Sequence, residues 1–96
     1  MRSTRQPVSR RELDAKLRRL FGLLAGVLTP AQLDDVTAFW GQSEWNLAIE
    51  LAARLVAERR QPIEPALHDL LVELLAHTEH AGAYEAALAP LRTPTR

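Results

Sequence analysis

Apolar residues recur along this chain at intervals of three and four, the repeat of amphipathic helices rather than the alternation of strands. Leu13, Leu17, Leu20, Phe21, Leu24, Val27 and Leu28 form the first stripe, with Arg11, Arg18 and Arg19 opposite, and predict a helix over about Arg10–Val27. Ser9 and Glu12 have capping-box spacing at its start. A second box, Thr29-Pro30-Ala31-Gln32, opens a helix with Leu33, Val36 and Trp40 on one side, Phe39 at the edge and Gly41 as a left-handed terminator. Ser43 is expected to cap a third helix, about Glu44–Arg60, with Trp45, Ala48, Ile49, Ala52, Leu55 and Val56 inward, Leu51 at the margin, and Glu50, Arg54 and Glu58 opposite. Pro62 and Pro65 bracket a break. Leu67, Leu70, Leu71, Leu74, Leu75 and Thr78 then stripe a fourth helix, with Asp69, Glu73 and His80 on its outer face. Gly82 reads as an interruption, and Tyr84, Leu88 and Leu91 as a short fifth helix before Pro90 and Pro94 end order.

Short connections favour antiparallel neighbours. The expected fold is therefore all-α: a small antiparallel helical bundle of four main helices plus a short C-terminal helix. Residues 1–8 read as a flexible basic arm, 9–91 as a single bundle domain and 92–96 as a disordered tail.

Composition agrees with this reading. Leucine and alanine dominate, and both lose little side-chain freedom in a helix. A chain of 96 residues supports one core and a stability of roughly 5–10 kcal/mol. It has no cysteine, which excludes disulfides, thiolate zinc sites and a thiol nucleophile. No apolar run is long enough to span a bilayer and no leader peptide is evident, so a cytoplasmic location is expected.

The formal charge sums to zero, but it is unevenly spread. Arg2, Arg5, Arg10, Arg11, Lys16, Arg18 and Arg19 crowd the first twenty residues, whereas Glu64, Asp69, Glu73, Glu79 and Glu85 follow one another without a Lys or Arg between them. Such asymmetry speaks of partners rather than of fold.

Candidate chemistry is sparse. Glu73, His77 and His80 have a spacing that could share a helical face, but a metal site needs further ligands from another element. Asp34 and Asp35 are adjacent and diverge by about 100°, so they suit the helix dipole better than a shared reacting atom. Gly22 and Gly26 make no phosphate loop, and Ser9 and Ser43 are read as caps. No catalytic residue, metal or cofactor is assigned, and no enzyme activity or small-molecule substrate is expected. The basic first helix raises a nucleic-acid-binding regulator as an alternative; Glu12 and Asp14 interrupt its face, and no second basic reading helix follows. Glu12 and Lys16 are expected to pair locally. Trp40 and Trp45 read as core aromatics, or as binding anchors should they be exposed.

The run Phe39-Trp40-Gly41-Gln42-Ser43-Glu44-Trp45-Asn46-Leu47-Ala48-Ile49-Glu50 resembles the centre of the MafI family of immunity proteins: a helix end, a short polar turn, then Glu-Trp-x-Leu-Ala-x-Glu. The likeness continues through Leu51, Leu55 and Glu58 to Gln61-Pro62-Ile63 and spans about residues 10–80. It implies a helical antidote in a bacterial cytoplasm that binds and neutralises the C-terminal domain of a cognate polymorphic toxin, in many such systems a nuclease. It transfers no catalytic residue. Asp34, Asp35, Glu44, Glu50, Asp69 and Glu73, with Glu64 and Glu79, supply acidic charge that could steer onto a basic nuclease site. These are the candidate partner-binding residues. A non-enzymatic helical adaptor or oligomerisation module is the other reading.

Overall fold

A computed structural model describes residues 10–94, and it is all-helical: α1 (Arg10–Leu24), α2 (Pro30–Gly41), α3 (Trp45–Arg59), α4 (Pro65–Leu75) and α5 (Ala81–Leu88), followed by a 3-10 turn at Ala89–Leu91. The expected arm and the Ser9 cap lie outside the described residues. No described helix is long and apolar enough to cross a membrane.

The stripes close into one core. Leu17, Leu20 and Leu24 of α1 and Leu71 and Leu75 of α4 have no exposed surface, and they join Val36, Val56 and Leu88 in a single apolar cluster. Helix α3 is central, packing against α2, α4 and α5, while α1 lies against α4 and α2. Ala48, Ala52 and Ala53 are fully buried on α3, where their small side chains let neighbouring helices approach closely. Every buried residue among those described is apolar.

Helix ends follow local hydrogen-bond chemistry. Helix α1 stops at Leu24 rather than Val27, because its ladder tightens: Gly26 donates to Leu23 O and Val27 to Leu24 O. That tightening lets Leu28 turn inward, 6% exposed. The Thr29 box forms in full. The Thr29 hydroxyl accepts from the Gln32 N–H at 3.1 Å, and the Gln32 side chain accepts from the Thr29 N–H at 3.0 Å.

The α2–α3 turn departs from expectation. Gly41 is the last helical residue and has no positive φ; the left-handed residue is Ser43, at φ 62°. Glu44 N–H donates to Phe39 O and Ser43 N–H to Trp40 O, the paired bonds of a Schellman motif with Ser43 at its left-handed position. Ser43 therefore terminates α2 instead of capping α3. Glu44 takes the cap position of α3 without a side-chain cap bond. Arg60, at φ 53°, closes α3 in the same left-handed manner.

Two further corrections fall near the C-terminus. Gly82 does not interrupt a helix but lies within α5. Order also continues past Pro90 and past residue 91: Ile63 N–H donates to Leu91 O at 2.8 Å, and Thr93 N–H to Ile63 O at 2.9 Å. An isolated parallel bridge between Ile63 and Arg92 results, so the segment after α5 is sewn to the buried Ile63 of the α3–α4 connection.

Candidate functional site

Helical spacing puts Leu47, Glu50, Leu51 and Arg54 on one side of α3, beside rather than on its alanine-rich core face. Leu47 is 45% exposed, the one large apolar side chain among the described residues to be so open. Phe39 from α2 and Tyr84 from α5, both half-buried, complete a pit of about 170 Å³ with Leu47, Glu50, Leu51 and Arg54. The pit continues two ways. On the α2 side it shares Phe39, Leu51 and Arg54 with a more open depression bearing Asp35, Ala38 and Gln42. On the α5 side it shares Leu47 and Glu50 with one bearing Glu44, Asn46, Glu79 and His80. These three adjoining depressions over α2, α3 and α5, together called the groove, share the apolar Phe39, Leu47 and Leu51 and carry Asp35, Glu44, Glu50 and Glu79 beside Arg54 and His80.

Glu50 links the pit to its acidic extension. Its side chain is only 15% exposed, and one carboxylate oxygen lies 3.3 Å from Nδ1 of His80, whose own side chain is 66% exposed. Asp35, Glu44 and Glu79 are open to solvent at the rim, with Arg54 the guanidinium among them. The groove can therefore accept an apolar side chain and a cation close together.

The six candidate residues separate into two sets. Asp35, Glu44 and Glu50 line the groove. Asp34 is exposed on α2 outside it, its carbonyl accepting from the Thr37 hydroxyl. Glu73 pairs with Lys16, tying α4 to α1, so Lys16 reaches across helices as well as lying near Glu12 in sequence. Asp69 takes two bonds from Arg92 and lies 2.8 Å from His68 Nδ1. The Arg92 bonds, then the His68 contact, hold the Asp69 carboxyl well below its usual 3.8, at about 2. Both Asp69 and Glu73 thus carry cationic partners already and contribute nothing to the groove's lining.

The Glu73, His77 and His80 spacing does not survive folding. Helix α4 ends at Leu75 and His80 occupies the cap position of α5, so the three residues do not share a helical face. Among the described residues no three His, Asp or Glu side chains are grouped to hold a metal.

No protein-family model, curated protein or solved structure matches this chain.

On α1, Arg10, Arg11 and Arg18 border an open shallow surface that also carries Asp14. Arg10 is further engaged, its guanidinium 4.9 Å from the ring centroid of half-buried Trp45. Trp40 packs on Phe21 with ring centroids 4.9 Å apart. Both tryptophans are partly buried and packed against the core, which favours the core reading of them. Of the pit's residues only Glu50 is an expected binding residue; the sequence presents Phe39, Leu51, Arg54 and Tyr84 as parts of their helices, and Leu47 only within the resembling segment. Leu47 had a signal: it is a leucine lying off the apolar stripe of its helix.

Proposed function

We propose that this chain is an immunity protein, a small antiparallel bundle with its α2/α3/α5 groove turned outward, which neutralises a cognate toxin domain in the cytoplasm by one-to-one binding. The observation that carries this reading is the exposed Leu47 at the centre of an acid-rimmed apolar groove. An apolar patch rimmed by polar residues is one form a protein-binding site takes, and Leu47 with the half-buried Phe39, Leu51 and Tyr84 supplies it. The segment that resembles the MafI family, residues 39–50, supplies Phe39, Gln42, Glu44, Asn46, Leu47 and Glu50 to that groove. Acidic rim charge suits a nuclease-type toxin, whose phosphate-binding site is basic and is occluded by such a surface.

Co-expression with the toxin-like product of the neighbouring upstream gene tests the proposal. The wild-type chain is expected to protect cells, and Leu47→Asp to lose protection while retaining its helical circular dichroism. Continued killing in the presence of the wild-type chain contradicts it. The exposed Leu47 also suits self-association, the adaptor reading; a concentration-dependent symmetric dimer broken by Leu47→Asp, with no toxin protection, is the result that favours that alternative.

A further inference from the structure

Within the proposed binding face, on whose protein-binding role this step rests, one pit is more specific in its demands than the rest. Its volume of about 170 Å³ is close to that of an apolar protein cavity that accepts a benzene ring, roughly 150 Å³. Its walls are Phe39, Leu47, Leu51 and Tyr84, two aromatic and two aliphatic side chains contributed by three helices. At its edge stands Glu50, which borders both the pit and the acidic extension carrying Glu44 and Glu79. A ring seated in the pit therefore lies next to a carboxylate that is mostly shielded from water and so interacts strongly with a cation. That carboxylate is held at present by His80 at 3.3 Å, a long contact from an imidazole two-thirds open to solvent. An arriving guanidinium offers more donors in a fixed fork than an imidazole can.

We infer that the groove recognises a partner segment carrying an aromatic side chain next to an arginine, the ring filling the Phe39–Leu47–Leu51–Tyr84 pit and the guanidinium displacing His80 from Glu50. The Glu44 and Glu79 carboxylates extend the preference to further cations on the α5 side, whereas Arg54 repels a cation at the opposite lip. The groove thus has a polarity: ring toward Arg54, positive charge toward His80.

The test uses the whole chain, isotopically labelled, titrated by NMR with three capped dipeptides at millimolar concentration: N-acetyl-Phe-Arg-amide, N-acetyl-Phe-Glu-amide and N-acetyl-Ala-Arg-amide. The Phe-Arg probe is expected to shift the amides of Phe39, Leu47, Glu50, Leu51 and Tyr84 and the ring signals of His80. It should bind about fivefold or more tightly than either of the others, the scale of one charge-assisted hydrogen bond or one buried ring in a partly open site. Glu50→Gln should cut the preference for Phe-Arg over Phe-Glu severalfold while leaving the ring's shifts in place, and Leu47→Asp should abolish both. Shifts centred elsewhere, equal responses to all three probes, no saturable response, or a preference unchanged in Glu50→Gln overturn the inference. Toxin protection is scored separately. Protection without Phe-Arg binding overturns this recognition mode alone, and Phe-Arg binding without protection overturns the immunity reading alone.

Discussion

Arg92 grips Asp69 with two bonds, Nε to Oδ1 at 3.0 Å and Nη2 to Oδ2 at 3.2 Å, and so ties the chain leaving α5 back onto α4. The Ile63 bridge sews the same segment to the α3–α4 connection a residue away. Together these contacts fix the far end of α5, the helix that lends Tyr84 to the groove.

The clasp gives a pH signature with a definite sign. Because the Asp69 carboxyl is held near 2 against an ordinary 3.8, its stabilising contribution is present above 3.8 and lost as pH falls from there toward 2. A carboxyl-detected NMR titration should give a midpoint near 2 in the wild type, and Arg92→Ala should raise it toward 3.8. Asp69→Asn should flatten the wild-type loss of stability in that acid window. A midpoint already at the ordinary value excludes the clasp in solution.

Thr29→Ala removes the hydroxyl that accepts from Gln32 and breaks the reciprocal box. The expected loss is about 1 kcal/mol by urea denaturation with the slope unchanged. No loss means that α2 does not start at this cap.

Gly41→Ala separates the two accounts of the α2 terminus. A left-handed Gly41 makes alanine destabilising by about 1 kcal/mol or more. Gly41 is instead helical, and a Cβ built there meets nothing within 4 Å. Alanine should therefore stabilise the chain, by roughly 0.5 kcal/mol, as measured by the shift in denaturation midpoint.

Leu71 has no exposed surface and lies on the buried stripe of α4. Leu71→Ala should cost about 3 kcal/mol, and Leu71→Asp should unfold the domain by far-UV circular dichroism, since it buries an unpaired charge. A wild-type melting curve for Leu71→Asp would remove α4 from the core.

Much of the helical core was legible because it depends on near-neighbour rules. The leucine stripes, the Thr29–Gln32 box and Pro65 at the first helical position each act within one or two turns of helix. At the α2–α3 turn, glycine's preference for left-handed backbone points to Gly41, which is helical. In the fold, α2 runs on through Trp40, which packs on Phe21, to Gly41, and the left-handed position falls two residues after that glycine, on Ser43. Lys16–Glu73, Ile63–Arg92 and Asp69–Arg92 join residues far apart in sequence and left no periodic trace. The acidic candidates were found by charge, but charge alone did not separate Asp69 and Glu73, which are paired internally, from Glu44 and Glu50 in the groove. The separation required knowing which helices pack together.

On the proposed reading, the α2/α3/α5 groove, and not the acidic surface at large, meets a basic toxin domain. Stopped-flow association of that domain with two double charge reversals tests it most directly: Glu44→Lys with Glu79→Lys on the groove rim, and Asp34→Lys with Glu64→Lys, both exposed and outside it. The rim pair should slow association about tenfold or more at low salt and flatten its salt dependence, while the outer pair leaves both close to wild type. A slowing confined to the outer pair, or a rate indifferent to the rim pair and to salt, contradicts the assignment of the groove.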